Sequence, residues 1–170
     1  GLMLGAIISD TLLFRSPTCT KTDKEIALEL AKIAGVDAEE FGLAMFKAGT
    51  SLVGKSIEEI YNQDYKAFNI GDAKVGIAQV NTMDIDGFAP LKAEMLEYME
   101  NLCVENGFDT AVLLLTDVIN ATSEVFVAGS HPEYVENAFN VQLVEHEANL
   151  PGVISRKKQV VPAITRAINA

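Results

Sequence analysis

Five consecutive apolar residues, Ala111-Val112-Leu113-Leu114-Leu115, constrain the fold more than any other segment of the chain. A strand with apolar side chains at every position has no face suited to water, so it must be covered on both sides. The segment therefore predicts a central strand of a sheet with helices packed on it. The stretch 124–129 is predicted to be its neighbour in that sheet.

Alternating apolar and polar residues predict further strands around this central one. Residues 66–70 alternate with period 2, Gly71-Asp72 marks a turn, and residues 74–81 return as a second strand. Residues 141–144 are predicted to form one more strand, and Val153-Ile154 to end another.

Helix start and stop signals separate these strands. These signals predict helices from Thr20 to Gly35, from Asp37 to Gly49, from Ser56 to Tyr61 and from Pro90 to Gly107, and a short helix from Ser130. In the first, Ile26, Leu30 and Ile33 lie on one face, and in the second Glu40 stands at the capping-box position. In the helix from Pro90, the apolar stripe consists of Leu91, Met95, Tyr98 and Leu102. Strands alternating with helices predict an α/β fold, a mixed β-sheet with helices packed on it, preceded by a helical segment.

The stretch 49–54 contains small residues bounded by two glycines, and it is predicted to be a linker between residues 1–48 and residues 55–170. The chain also opens on an apolar segment, residues 1–8, with no initiator Met. We therefore expect it to be a piece of a longer protein.

Composition excludes some functions and favours a compartment. The net charge of −11 argues against general nucleic-acid binding, which depends on dispersed positive charge. No run of 18 apolar residues and no cationic leader is present, so membrane insertion and secretion are not expected. Cys19 and Cys103 share no ligand-like spacing and are predicted to be buried free thiols in a reducing cytosol, and His131 and His146 to be surface residues.

Arg156-Lys157-Lys158 is the only run of three basic residues in this acidic chain. After it, Val160 and Ile164 begin a series with helical spacing, so the run is predicted to lie where a strand passes into a helix. Unpaired N–H groups at such a corner favour anions, and Arg156 with Lys157 would add a phosphate clamp. The alternative is a solvated surface patch, the usual meaning of a basic triplet.

Asp10 follows the apolar segment 2–8 and Ser9, at the predicted rim of a core. One interpretation is a carboxylate that closes a turn or caps a helix. The other is a carboxylate presented to a metal ion from the end of a rigid element.

Several stretches together resemble the manganese-dependent (family II) inorganic pyrophosphatases of the DHH phosphoesterase superfamily. They are Gly1-Leu2-Met3-Leu4 to Ala6-Ile7-Ile8-Ser9-Asp10, Leu12-Leu13-Phe14 with Ser16-Pro17-Thr18, Ala34 to Glu40, Ile77-Ala78-Gln79-Val80-Asn81-Thr82, and Ser155 to Pro162. The resemblance covers essentially the whole chain, and the last motif is specific to the pyrophosphatase branch.

The resemblance implies two parts: residues 1–48 as the C-terminal end of a DHH-type metal-binding catalytic domain, and residues 55–170 as a C-terminal substrate-binding domain that closes over it about the 49–54 linker. By the same resemblance Asp10 is a ligand of Mn²⁺ (or Co²⁺), and Lys66, Arg156 and Lys157 bind pyrophosphate or phosphate. No catalytic residue is assigned in this chain.

The resemblance further implies partners that the chain does not contain. The other metal ligands, including an Asp-His-His motif, would belong to the N-terminal catalytic domain, so the chain alone is expected to lack activity. The longer protein is expected to be a cytoplasmic homodimer without nucleic-acid or membrane partners.

Two other functional hypotheses are compatible with the sequence: an exopolyphosphatase of the same superfamily, and a non-enzymatic module with a basic pocket for a phosphorylated ligand. The pyrophosphatase reading requires Lys66 and Arg156, which are 90 positions apart, to converge. An otherwise acidic domain would repel a multiply charged anion unless its cations met in one place.

Overall fold

The computed structural model describes residues 1–170. It divides the chain into two compact units, residues 1–51 and residues 52–170. We call them the helical unit and the sheet unit. The division falls within the 49–54 stretch that the sequence marks as a linker. None of the helices combines the length and the apolar character that a membrane crossing requires.

The helical unit contains α1 (Leu2–Asp10), α2 (Lys21–Ala34) and α3 (Ala38–Gly49). The predicted signals of α2 are confirmed: Asp23 N–H donates to Thr20 Oγ1 at 3.2 Å and Thr20 N–H donates to Asp23 Oδ2 at 2.8 Å. Gly35 ends the helix with a φ of 68°, where a residue without a Cβ carries no steric cost. Asp37 caps α3, but its two bonds come from backbone N–H groups and Glu40 does not complete a capping box.

The inward face of α2 differs from the predicted one. Ala27 and Ala31 are buried, whereas Ile33 is 83 % exposed and Ile26 is also exposed. The two alanines lie four residues apart, on one side of the helix, and small side chains let neighbouring helices approach closely. Of the predicted face, Leu30 is half-buried, but the prediction was wrong for Ile26 and Ile33, because the packing of the unit selects the alanines over these larger side chains.

The sheet unit is built on five strands in the order β1-β2-β3-β4-β5, and the α/β prediction is confirmed. The strands are β1 (Tyr65–Ile70), β2 (Ala73–Thr82), β3 (Thr110–Asp117), β4 (Thr122–Gly129) and β5 (Glu147–Pro151). Only β2 and β3 run parallel to each other; the other neighbours are antiparallel. Every residue of β3 is buried, as the run of apolar side chains predicts for a central strand.

Helices cover both faces of this sheet. On one side, which we call the α5 face, α4 (Ile57–Tyr61) and α5 (Lys92–Asn106) bury residues such as Tyr61, Met95 and Phe126. On the other side, which we call the α7 face, α6 (Glu133–Phe139) and α7 (Val161–Asn169) pack on a second apolar cluster. Because strand residues alternate between faces, each strand contributes to both cores.

The two predicted strand segments at 141–144 and 153–154 were wrong. The chain leaves α6 through Asn140 in a left-handed conformation, and Glu145 and His146, also left-handed, form a tight turn, so Val144 makes only an isolated bridge to Glu147. The real edge strand, β5, escaped prediction because its face towards α5 carries polar Glu147 and Asn149. Gly152, with a φ of 74°, then turns the chain out of β5 before residue 153.

Two smaller expectations also need correction. A 3₁₀ segment, Asp86–Leu91, contains Pro90 and precedes α5, whose buried stripe is Met95, Met99 and Cys103. Cys103 is a buried free thiol as expected, but the free thiol of Cys19 is only half-buried. His131 is a surface residue as expected, and its Nδ1 lies 2.7 Å from Glu133 Oε1.

Candidate functional site

The basic run lies at the start of the C-terminal helix of the sheet unit. Residues Arg156–Val160 form one π-helical turn that continues directly into α7. The wider turn arises where Val160 N–H donates to Ser155 O, five residues earlier, at 3.2 Å. Val160 and Ile164 then anchor this helix in the core of the α7 face. The sequence prediction of a basic helix start is confirmed, although a loop and not a strand leads into it.

Two glutamine side chains fix the approach to Arg156. Gln159 Oε1 accepts the N–H groups of Ile154 and Ser155 at 2.9 and 3.0 Å, and its Nε2 donates to Gly152 O at 2.9 Å. Gln79, on β2, accepts the N–H of Arg156 at 3.1 Å and donates to Ile154 O at 3.0 Å. The loop before the basic run is therefore tied both to its own helix and to the sheet.

The start of this helix offers fewer free donors than the sequence suggests. The N–H of Arg156 is bonded to Gln79, and that of Lys158 donates to Ser155 Oγ at 3.2 Å. Both groups would otherwise be available to an anion at a helix N-terminus. Of the first three N–H groups only that of Lys157 remains available, so an anion site at this corner rests mainly on the side chains.

The guanidinium of Arg156 is held by Asp64 and Ile77. Its Nη2 donates to Asp64 Oδ1 at 2.7 Å, and its Nη1 donates to the Asp64 carbonyl oxygen and to Ile77 O, the latter at 3.4 Å. The Arg156 side chain is 11 % exposed, whereas that of Asp64 is 58 % exposed. A buried guanidinium with several acceptors has a defined orientation, which a solvated surface arginine lacks.

Lys66 lies on the same side of the sheet as this guanidinium. In the antiparallel register of β1 and β2, Lys66 is directly opposite Ile77, whose carbonyl accepts from Arg156. Cross-strand partners share a face, and the Ile77 side chain belongs to the core of the α7 face. Lys66 is exposed on this edge strand. The fold thus places Lys66 opposite the residue that binds Arg156, although the two cations are distant in sequence.

Lys157 and Lys158 are both exposed, and neither side chain has a hydrogen bond or ion pair. Successive residues of a helical turn point about 100° apart, so the two lysines do not face the same way as each other. The assignment of Lys157 to the clamp stays a prediction.

Asp10 is the last residue of α1, and its side chain is exposed. Its carbonyl oxygen accepts from Thr18 Oγ1 at 3.2 Å, and residues 12–14, which follow it, are all in the left-handed region. No group of three or more His, Cys, Asp or Glu side chains in residues 1–170 is arranged to hold a metal ion. One carboxylate supplies at most two oxygens, so these residues do not fit a complete Mn²⁺ site, which takes about six donors.

Sequence reasoning missed three residues of this site. Gln79 lies within the motif 77–82, but the motif alone did not indicate its contact with Arg156. Gln159 lies within the basic motif, where its i−4 and i−5 contacts depend on the loop conformation. Asp64 carries no signal at all, because its pairing with Arg156 arises only from the tertiary fold.

Comparison with known proteins matches this chain to one domain family. The sequence model of the DHHA2 domain matches residues 43–167, which include the sheet unit except for its last three residues. The chain therefore belongs to the DHHA2 domain family.

Individual relatives share the full extent of the chain. A cobalt-dependent inorganic pyrophosphatase of Clostridium perfringens is 59 % identical over 168 residues, which are 99 % of this chain and 31 % of that protein. A probable manganese-dependent inorganic pyrophosphatase of Clostridium acetobutylicum is 54 % identical over 99 % of this chain and 54 % of its own length. The chain thus spans about a third to a half of the curated relatives it matches.

A solved structure agrees with this assignment. The crystal structure of a Methanococcus jannaschii protein, described as a candidate family II inorganic pyrophosphatase, superposes with a TM-score of 0.88 and 44 % identity. The match covers 98 % of this chain and 54 % of that protein. The resemblance noted from the sequence motifs is confirmed by these comparisons.

Proposed function

We propose that this chain supplies the substrate-binding part of an inorganic pyrophosphatase, with Lys66, Arg156 and Lys157 as its pyrophosphate-binding residues. The observation that carries the proposal is the placement of two cationic residues beside Ile77: Arg156 donates to its carbonyl, and Lys66 is its cross-strand partner. The names of the relatives support pyrophosphate as the substrate class.

The chemistry of the substrate requires such a clamp. Pyrophosphate carries several negative charges at neutral pH, and the chain around the clamp has a net charge of −11. Hydrolysis adds one water across the P–O–P bridge and yields two phosphates, so charge builds on the departing phosphate as the bridge bond breaks. Cations already oriented towards those oxygens stabilise that charge without reorganising at the moment of reaction.

Asp10 is proposed as one ligand of a Mn²⁺ or Co²⁺ centre whose other ligands lie in a domain outside residues 1–170. The metal dependence in the names of the relatives supports this, and their greater length supports a further domain. When bound, such metal ions supply an activated water as nucleophile. Exposed apolar residues of the helical unit, such as Leu2 at 94 %, provide a surface that this further domain would cover.

In this proposal residues 1–48 complete the catalytic domain, residues 49–54 act as a hinge, and residues 55–170 close over the metal centre. Closure would exclude water from the bound anion. The proposed setting is a homodimer in the cytoplasm, where the free thiols of Cys19 and Cys103 would stay reduced.

A fusion tests the proposal. The segment of the Clostridium acetobutylicum relative that precedes its match to this chain is joined to Gly1, and phosphate release from pyrophosphate is measured with Mn²⁺. We expect turnover by the fusion, loss of most of it in Arg156→Ala, and none by residues 1–170 alone. An inactive fusion beside an active relative would contradict the proposal, and so would turnover by the isolated chain.

A further inference from the structure

The hydrogen bonds of Arg156 leave one edge of its guanidinium free. The group has five N–H donors, two on Nη1, two on Nη2 and one on Nε. Both Nη1 donors and one Nη2 donor are used, on Asp64 and on Ile77 O. The remaining Nε–H and second Nη2–H lie along one edge of the plane, which is the spacing that suits two oxygens of a phosphoryl group.

Asp64 determines which edge of the Arg156 guanidinium remains without a partner. It contacts the end of the guanidinium twice, through its carboxylate to Nη2 and through its carbonyl to Nη1. It ends the 3₁₀ turn Asn62–Asp64 directly before β1, two residues ahead of Lys66. The same short segment therefore holds Arg156 by its far end and carries the second proposed cation.

We propose that Asp64 is a positioning residue for the anion site: it holds the guanidinium of Arg156 so that the Nε–Nη2 edge faces the phosphoryl oxygens. This inference rests on the proposed function. Asp64 itself does not touch the anion and acts only through Arg156.

If Asp64 competed with the anion instead of positioning Arg156, its removal would change the affinity for the anion in the opposite direction. An exposed carboxylate beside an anion site repels the anion, and if Asp64 only competed for Arg156, its removal would tighten binding. If it positions Arg156, removal of its carboxylate leaves the guanidinium held at Nη1 alone, so its orientation is less fixed and binding weakens in spite of the lost negative charge. The direction of the change therefore separates the two roles.

The experiment is a titration of the isotope-labelled chain with inorganic pyrophosphate, without metal, followed by NMR. Affinity is read from the backbone amides of residues 155–160, and orientation from the Nε–H resonance of Arg156. For Asp64→Ala we expect binding about tenfold weaker, the loss typical of one charge-assisted hydrogen bond. We also expect the Nε–H signal to broaden or to lose its shift on titration.

Matched variants make the result specific. Asp64→Asn keeps an oxygen acceptor without the charge and is expected to restore most of the affinity. Asp72→Ala removes the same charge from the exposed turn after β1 and should leave affinity within about twofold, because exposed charges at a distance are screened. Arg156→Lys should lose the bidentate edge and bind as weakly as Asp64→Ala.

The outcomes separate this inference from the proposed function. Unchanged or tighter binding by Asp64→Ala, with binding still dependent on Arg156, would overturn the role of Asp64 and leave the anion site standing. Binding that ignores Arg156→Ala, or no binding by the unsubstituted chain, would overturn the proposed function and this inference with it. If Asp64→Ala failed to fold, Asp64→Ser, whose shorter side chain loses the contact with Nη2, would replace it: weaker binding than by Asp72→Ala would support the role, and equal or tighter binding would overturn it.

Discussion

The two units of the chain differ in how much of their apolar surface they bury. The sheet unit covers both faces of its sheet, and side chains such as Leu114 and Met95 are fully buried. The helical unit has a small core around Leu4 and Ile8 and leaves Leu2, Met3 and Ile33 at 94, 67 and 83 % exposure. Because apolar burial is the main driving force of folding, we expect it to stabilise the sheet unit more than the helical unit.

The same contrast applies to chemistry. In the sheet unit the fold pairs Arg156 with Asp64, and the register of β1 and β2 places Lys66 opposite Ile77, whose carbonyl accepts from Arg156. In the helical unit the only proposed functional residue, Asp10, is exposed and belongs to no group of metal-ligating side chains. All the residues of the proposed anion site therefore lie within this chain, whereas those of the proposed metal site do not.

The largest expected difference is in the free energy of unfolding, when one apolar side chain is truncated in the sheet unit and one in the helical unit. Leu114→Ala removes a fully buried side chain from the central strand and should lower the free energy of unfolding by about 3–5 kcal/mol. Leu2→Ala should change it by less than about 0.5 kcal/mol, since the side chain is already in water. Urea unfolding followed by circular dichroism measures both. Similar losses for the two variants would break the contrast in burial.

The next largest expected effect is the loss of pyrophosphate affinity when the Arg156 side chain is removed. Arg156→Ala should weaken pyrophosphate binding by this chain at least about tenfold, because the oriented pair of donors is lost. Lys24→Ala removes one positive charge from an exposed position of α2 and should leave binding unchanged within error. Isothermal titration calorimetry of both variants gives the comparison. An equal loss in both would mean that binding follows overall charge and not the clamp.

Gln79→Leu should have an intermediate effect on stability and on pyrophosphate affinity. It leaves the N–H of Arg156 and the carbonyl of Ile154 without their partner, at a cost of about 1–3 kcal/mol in unfolding free energy, and it loosens the loop before the clamp. Gln142→Leu is the control, since Gln142 is exposed in the loop before β5. Thermal melting and pyrophosphate titration of the pair test this. A Gln79→Leu variant with unaltered affinity would contradict the positioning of Arg156 by Gln79.

The smallest effect is a pH dependence of opposite sign in the two units. Hydrogen bonds from Thr20 lower the pKa of Asp23, so the stability that Asp23 contributes to the helical unit is lost as pH falls through that lowered value. Burial raises the pKa of Glu124, outweighing the nearby Lys92, so the sheet unit gains from protonation of Glu124 and loses that gain as pH rises through the raised value.

The measurement is the melting temperature of Asp23→Asn and Glu124→Gln relative to the unsubstituted chain between about pH 3 and pH 7. We expect the deficit of Asp23→Asn to grow with pH and Glu124→Gln to change from neutral to stabilising over the same range. A shift of the same sign in both variants would contradict the contrast.

The sequence predicted the parts of the fold that local patterns determine and missed those that tertiary packing determines. The central strand, the caps of α2 and α4, and the basic helix start were predictable, because each depends on a local pattern that the tertiary fold does not override. Strand β5 was missed because half its side chains are polar at a sheet edge. The inward face of α2 was mispredicted because close packing of helices selected its alanines.

For the site, the basic run pointed to Arg156 and the resemblance assigned Lys66, but neither indicated the groups that orient the guanidinium. The contacts of Asp64 and Gln79 with Arg156 join residues that are 92 and 77 positions apart, and no periodicity encodes such pairs. They became visible only with the register of β1 and β2.

The account depends most on the convergence of Lys66 and Arg156 on one anion, and a crystal structure of residues 1–170 with pyrophosphate tests this directly. We predict a phosphoryl group on the α7 face, within hydrogen-bond distance of both Arg156 Nε and Lys66 Nζ, with Asp64 still bound to the other end of the guanidinium. Pyrophosphate bound away from these two side chains, or held by one of them alone, would contradict it.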